Sequence, residues 1–131
     1  MDYNRGMIVY CCVDLIFSTK IRSTAEHLGV PARSAHNTQM LRDRLEQVDD
    51  DQLNDPITVV LIDLELGKPA LDMVKQVKEH DPSILVATFG SHVETSMLQA
   101  AHKHGADAVM ARSQFVAELP KMIQQYGQSK I

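Results

Sequence analysis

The run Ile57-Thr58-Val59-Val60-Leu61-Ile62 stops abruptly on a carboxylate, Asp63. A stretch this apolar and β-branched predicts a strand covered on both faces, as in a parallel sheet flanked by helices. Asp63 then emerges at the strand's carboxyl end. In open α/β sheets that edge is where ligands bind and chemistry is done. What Asp63 can do there depends on what the neighbouring strand ends carry.

The rest of the chain repeats the same alternation of apolar bursts and helical periods. Strands are predicted over residues 7–13, 30–35, 57–63, 84–89 and 107–111. Val30-Pro31 suits the second of these to a sheet edge. A first helix over 18–28 places Ile21, Ala25 and Leu28 on one face and stops at Gly29. Met40, Leu41, Leu45 and Val48 mark a second helix, after which Asp49-Asp50-Asp51 opens a polar loop ending at Asp55-Pro56. Gly67-Lys68-Pro69 separates the third strand from a helix bearing Leu71, Val74 and Val77. The fourth helix opens at Ser91-His92-Val93-Glu94, a hydroxyl at the cap with a carboxylate three residues on, and ends at Gly105. The last carries Leu119, Met122, Ile123 and Tyr126, with Pro120 tolerated only if the helix begins close to it. Five βα units predict a flavodoxin-like, doubly wound (βα)5 three-layer sandwich. Its five-stranded parallel sheet is expected in the order 2-1-3-4-5, with the switch point between strands one and three. Residues 1–131 are expected to form one domain, with a core over about 7–126.

Composition narrows the function. A net charge of -4 argues against a general phosphate-backbone binder, and no stripe of cations interleaved with aromatics is present. No apolar run approaches the roughly 18 residues of a membrane span. The start, Met1-Asp2-Tyr3-Asn4-Arg5-Gly6, does not resemble a signal peptide. Cys11 and Cys12 are adjacent, and a bridge between neighbours is badly strained. They read as small buried hydrophobes in a reducing compartment, so a cytoplasmic setting is expected. Glycine-rich phosphate loops, zinc spacings and Gly-x-Ser-x-Gly elbows are all missing, and few aromatics are present to stack on a flavin. His102 and His104 fall on different helix faces, which disfavours a shared metal, and His92 suits a solvent-facing first turn.

In the predicted order Asp14, after strand one, faces Asp63 across the crevice. Two carboxylates there suit a shared Mg2+ ion; the alternative is that Asp14 caps a helix N-terminus. The spacing leaves both readings open.

Two segments carry a resemblance to a known family. Val59-Val60-Leu61-Ile62-Asp63 and Gly105-Ala106-Asp107-Ala108-Val109-Met110 are similar to the third strand and the final helix-to-strand turn of response regulator receiver domains, the CheY-like domains of two-component signalling. The resemblance covers most of the chain. It implies that Asp63 occupies the phosphoacceptor position and Asp14 one of two acidic metal-binding positions. It also implies a Mg2+ cofactor held partly by the backbone carbonyl of Glu65. The Glu65 side chain either adds negative charge beside Asp63 or is simply solvated.

The departures from the family pattern bear on chemistry. The second acidic position holds Val13. The Ser/Thr position falls on Gly90, the Lys position on Arg112, and Ser113 stands where Pro is usual. With one carboxylate lost, Mg2+ is expected to bind weakly or not at all, leaving a phosphoryl dianion without charge neutralisation. Gly90 offers no hydroxyl, and a planar guanidinium does not replace a compact ammonium. Arg112 is instead expected to pair with Asp63 in a bidentate contact. The reading that follows is an atypical, non-enzymatic receiver-like domain of bacterial type, expected to stand alone because only Gly127-Gln128-Ser129-Lys130-Ile131 follow its last helix. It signals through association with a protein partner, a histidine kinase or a downstream regulator. A homodimer through the face of helix four, strand five and helix five, with Val109, Met110, Phe115 and Leu119, is one form this takes. The alternative is a Mg2+-dependent receiver phosphorylated on Asp63 in a phosphorelay, which at most hydrolyses its own acyl phosphate.

Overall fold

A computed structural model describes residues 6–46, 48–49, 52–53 and 56–127 of the chain. Five strands form one parallel sheet: β1 (Met7–Cys11), β2 (Ala32–Ser34), β3 (Ile57–Asp63), β4 (Leu85–Gly90) and β5 (Ala108–Ala111). Their spatial order is β2-β1-β3-β4-β5, with β3 central. In register, Val9 of β1 faces Val60, and Asp63 faces Phe89 of β4. Helices α1 (Leu15–His27), α2 (Thr38–Leu45), α3 (Lys68–His80), α4 (Thr95–Lys103) and α5 (Arg112–Tyr126) connect and follow the strands. The expected flavodoxin-like sandwich and its strand order are what the chain adopts.

The period of the strands explains the two-sided core. Successive side chains alternate between sheet faces. Val60 and Ile62 join Leu41 of α2, Met73 of α3 and Ala101 of α4, whereas Val59 and Leu61 join Ile21 of α1 and Leu119 of α5. All four β3 side chains are fully buried. A leucine so placed is worth about 3 kcal/mol against alanine, so the central strand is held firmly and the Asp63 position with it. Glycines with positive φ, Gly29 (73°) and Gly105 (108°), end α1 and α4, as the sequence suggests.

Several boundaries differ from expectation for identifiable reasons. The first strand ends at Cys11, leaving Val13 outside it, and α1 starts three residues early because Asp14 caps it. Strand β2 is only three residues long, a short edge strand after Pro31. Val48 does not extend α2: Val48–Asp49 pairs antiparallel with Gln52–Leu53. Helix α3 begins at Lys68, since Gly67 at φ 78° makes the turn and Pro69 is tolerated in the first turn. Pro120 lies in the interior of α5 rather than near its start, so the Val116 carbonyl receives no N–H from it. Asp50, Asp51 and Asp55 of the expected polar loop, Met1–Arg5 and Gln128–Ile131 lie outside the described residues. No described helix is long and apolar enough to cross a membrane.

Candidate functional site

The sheet's carboxyl edge brings together Cys12 and Asp14 after β1, Asp63 ending β3, Glu65 in the turn Leu64–Leu66, Gly90 ending β4 and Arg112 opening α5. Asp63 is fully buried. Its Oδ1 accepts from the Glu65 amide (2.9 Å) and from Arg112 Nη2 (3.2 Å), and its Oδ2 accepts a longer contact from the Cys12 thiol (3.5 Å). Both carboxylate oxygens thus have protein donors.

Arg112 contacts Asp63, but not in the bidentate way expected. One nitrogen, Nη2, serves two carboxylates, reaching Glu65 Oε1 at 3.0 Å as well. The other, Nη1, is buried without a hydrogen-bond partner among the described residues. Its surroundings supply the reason. The guanidinium carbon lies 5.2 Å from the ring centre of Phe17 and 5.8 Å from that of Phe89. Phe89 in turn stacks on Phe115 with centroids 3.9 Å apart. The chain's three phenylalanines therefore form one platform beneath the cation, and ring faces attract a guanidinium that is partly desolvated. Glu65 bonds Arg112 while its side chain stays 68% exposed, so both of its sequence readings describe part of its environment.

The two carboxylates implied as metal ligands are engaged by protein donors. Asp14 Oδ1 accepts from the amides of Ile16 (2.8 Å) and Phe17 (3.2 Å), the helix-cap reading of that residue. Val13, at the other acidic position, offers no donor and projects into solvent. Arg112 holds the Asp63 oxygen that faces the Glu65 amide. Among the described residues no group of three or more His, Cys, Asp or Glu side chains is placed to hold a metal. A Mg2+ ion prefers several oxygen ligands, and a cation here meets a guanidinium instead. The residues present do not fit that ion.

Gly90 is not an empty slot either. A Cβ there would sit 3.2 Å from Cβ of Leu64, which occupies the space over the glycine. The nearby Thr88 hydroxyl donates to the Ala108 carbonyl (3.2 Å), tying β4 to β5 instead of serving the crevice. Ser91 does not cap α4. Its Oγ accepts from the Val93 amide at 3.4 Å within a turn, and α4 starts at Thr95 with Glu94 as its cap residue and no side-chain cap bond. A cavity of about 340 Å3 opens between Leu64, Ser91, Glu94, Met97 and Arg112. His92, His102 and His104 are exposed and gather around no common point; the ring of His104 bonds the Ala100 carbonyl of its own helix.

Sequence reasoning missed Cys12, Phe17 and Phe89 as members of this site. The thiol does lie two residues before Asp14, and Phe115 lies one helical turn after Arg112. Those spacings carry meaning only once β1, β4 and α5 are known to converge. Burial within the sheet pushes the Cys12 thiol up to about 11, the Asp63 carboxylate adding to that effect, and Cys11 to about 12. Both are protonated at neutral pH and poor nucleophiles.

No protein-family model matches the chain, and no curated protein matches it. Solved structures do. A response regulator from Thermotoga maritima superposes with a TM-score of 0.73 at 17% identity, covering 92% of this chain and 96% of that one. A CheY-like receiver domain protein from Methanospirillum hungatei JF-1 gives 0.72 at 14%, covering 92% of each chain. The isolated REC domain of RcsB from Salmonella enterica serovar Typhimurium gives 0.68 at 18%, with 91% and 85% covered. At these identities the likeness shows the fold: the chain has the CheY-like fold of response regulator receivers.

Proposed function

We propose that this chain is a single receiver-like signalling domain that works by protein association, without ordinary phosphorylation of Asp63. One observation supports the reading most directly: the Arg112 guanidinium, seated on Phe17 and Phe89, bridges Asp63 and Glu65. In the phosphoryl transfer that the fold's relatives suggest, an Asp63 oxygen attacks phosphorus and the donor's P–O bond breaks. Charge builds on the transferring oxygens and needs cations aimed at them. Here the available cation already neutralises two carboxylates, and Gly90 supplies no hydroxyl. Arg112 plays a positioning role, holding Asp63 and the Leu64–Leu66 turn in one arrangement that a partner, a kinase or a downstream regulator, reads as a surface.

The test is direct. The protein is incubated with Mg2+ and acetyl phosphate, and its intact mass is measured. The expected result is an unmodified chain. A phosphoryl adduct that disappears in Asp63→Asn would sink the proposal and establish the phosphorelay reading, which the retained carboxylate at the end of β3 favours.

A further inference from the structure

The apolar residues of the helix four, strand five and helix five face do not form a free surface. Phe115 and Leu119 are fully buried and Met110 nearly so. The open space beside these elements is the cavity of about 340 Å3 at the sheet's carboxyl edge. Three segments enclose it: the Leu64–Leu66 turn, the stretch from Gly90 into the start of α4, and the head of α5. Its wall is apolar where Leu64, Met97 and Leu98 meet. Ligand sites run from roughly 300 to 1,000 Å3. A space at the bottom of that range suits one long side chain better than a cofactor.

Charge decides which side chain. The ionisable groups lining the cavity are Glu65, Glu94 and Arg112. Arg112 is already engaged, with Nη2 shared by Asp63 and Glu65 and Nη1 buried. An entering anion would have to displace one of those carboxylates. Glu94 is exposed, and among the described residues its side chain makes no hydrogen bond or ion pair. With Asp63 included, three carboxylates therefore stand against one guanidinium. The partial positive charge at the start of α4, about half a unit, does not cancel that excess. The cavity is an apolar slot with a negative rim. A long basic side chain matches both parts, because it lays its stem along an apolar wall and keeps its charged head at the water. Arginine does so better than lysine, since its planar head pairs with carboxylates and is more weakly hydrated. We infer that the protein partner of this domain anchors itself by inserting an arginine side chain into this cavity. The stem lies against Leu64, Met97 and Leu98, and the guanidinium reaches Glu65 and Glu94. The inference rests on the reading that the domain works by protein association, and it gives the partner's anchor its chemistry.

Titration of the isotope-labelled full chain with N-acetyl-arginine amide, followed through backbone amide shifts, tests it. The shifts should saturate with a Kd on the order of 1 mM. They should concentrate at Leu64, Glu65, Ser91, Glu94, Met97 and Leu98. Glu94→Lys should weaken binding about tenfold and Glu94→Gln about threefold, each with an unchanged circular dichroism spectrum. N-acetyl-norleucine amide, which has the stem without the charge, should bind more weakly than the arginine probe. The absence of saturable shifts at about 20 mM would overturn the inference. So would binding indifferent to Glu94→Lys, or a norleucine probe that binds as well as arginine. Agmatine, the same head and stem without a backbone, separates a side chain from a free small molecule. If it bound where the blocked arginine did not, the cavity would be a small-molecule site and the inference would fall. The association reading itself fails on a phosphoryl adduct in the mass measurement, a result independent of this titration.

Discussion

Asp63 and Arg112 decide the character of the crevice, and their coupling can be measured. A buried carboxylate stripped of its cation keeps only the Glu65 amide and the weak Cys12 donor. Arg112→Ala is expected to lower the unfolding free energy by about 2 kcal/mol. In an Asp63→Asn background the same change is expected to cost only about 1 kcal/mol, because an amide does not need the guanidinium. Urea titrations of the four proteins give the cycle. Equal costs in both backgrounds would shift the role of Arg112 to its contacts with Glu65 and the phenylalanines. The pairing itself was legible, because a retained cation and a lost ligand predict a contact. Its geometry was not: the shared Nη2 arises because Phe17 and Phe89 hold the other side of the guanidinium, and that platform forms only when β4, α1 and α5 meet.

At the scale of elements, the question is why Asp14 stands at the head of α1. Its carboxylate holds two first-turn amides, which any good cap oxygen can do, whereas a metal ligand requires the charge. Asp14→Asn is therefore expected to change stability by no more than a few tenths of a kcal/mol, and Asp14→Ala to cost about 1 kcal/mol. Thermal unfolding followed by circular dichroism measures both. A large loss in Asp14→Asn would show that the charge matters at that position. The same helix shows where sequence patterns mislead. The apolar face of Ile21 and Ala25 located α1 correctly, but its first turn carries Leu15 and Ile16 outward, so periodicity alone placed the start too late. Ser91 shows the converse. A hydroxyl with a carboxylate three residues on matches a capping box, yet the chain turns at Ser91–Val93 and delays α4 to Thr95. Strand identity was clearer because β3 is buried on both faces, a condition that leaves a long apolar run in the sequence.

Across the whole molecule, the two-sided core has a consequence for stability against pH. Cys11 faces the α2–α3–α4 side and Cys12 the α1–α5 side, and burial raises both thiols from 9.0, to about 12 and about 11. In the unfolded chain each thiol loses its proton near pH 9.0, while the folded chain keeps both until well above it. Between those values the folded state binds more protons, so raising the pH favours unfolding. The thiol contribution is fully present below pH 9.0 and declines as pH rises towards 11. At its steepest the decline is about 1.4 kcal/mol per pH unit for each thiol. Urea midpoints measured from neutral pH upward should therefore fall faster in the natural chain than in a Cys11→Ala/Cys12→Ala variant. That variant starts lower, since two buried sulfurs are removed, but its curve should be flatter because the two raised thiols are gone. Parallel curves would mean that the thiols already reach solvent in the folded state. In that case the sheet's carboxyl end near Asp63 opens more readily than the Arg112 bridge suggests.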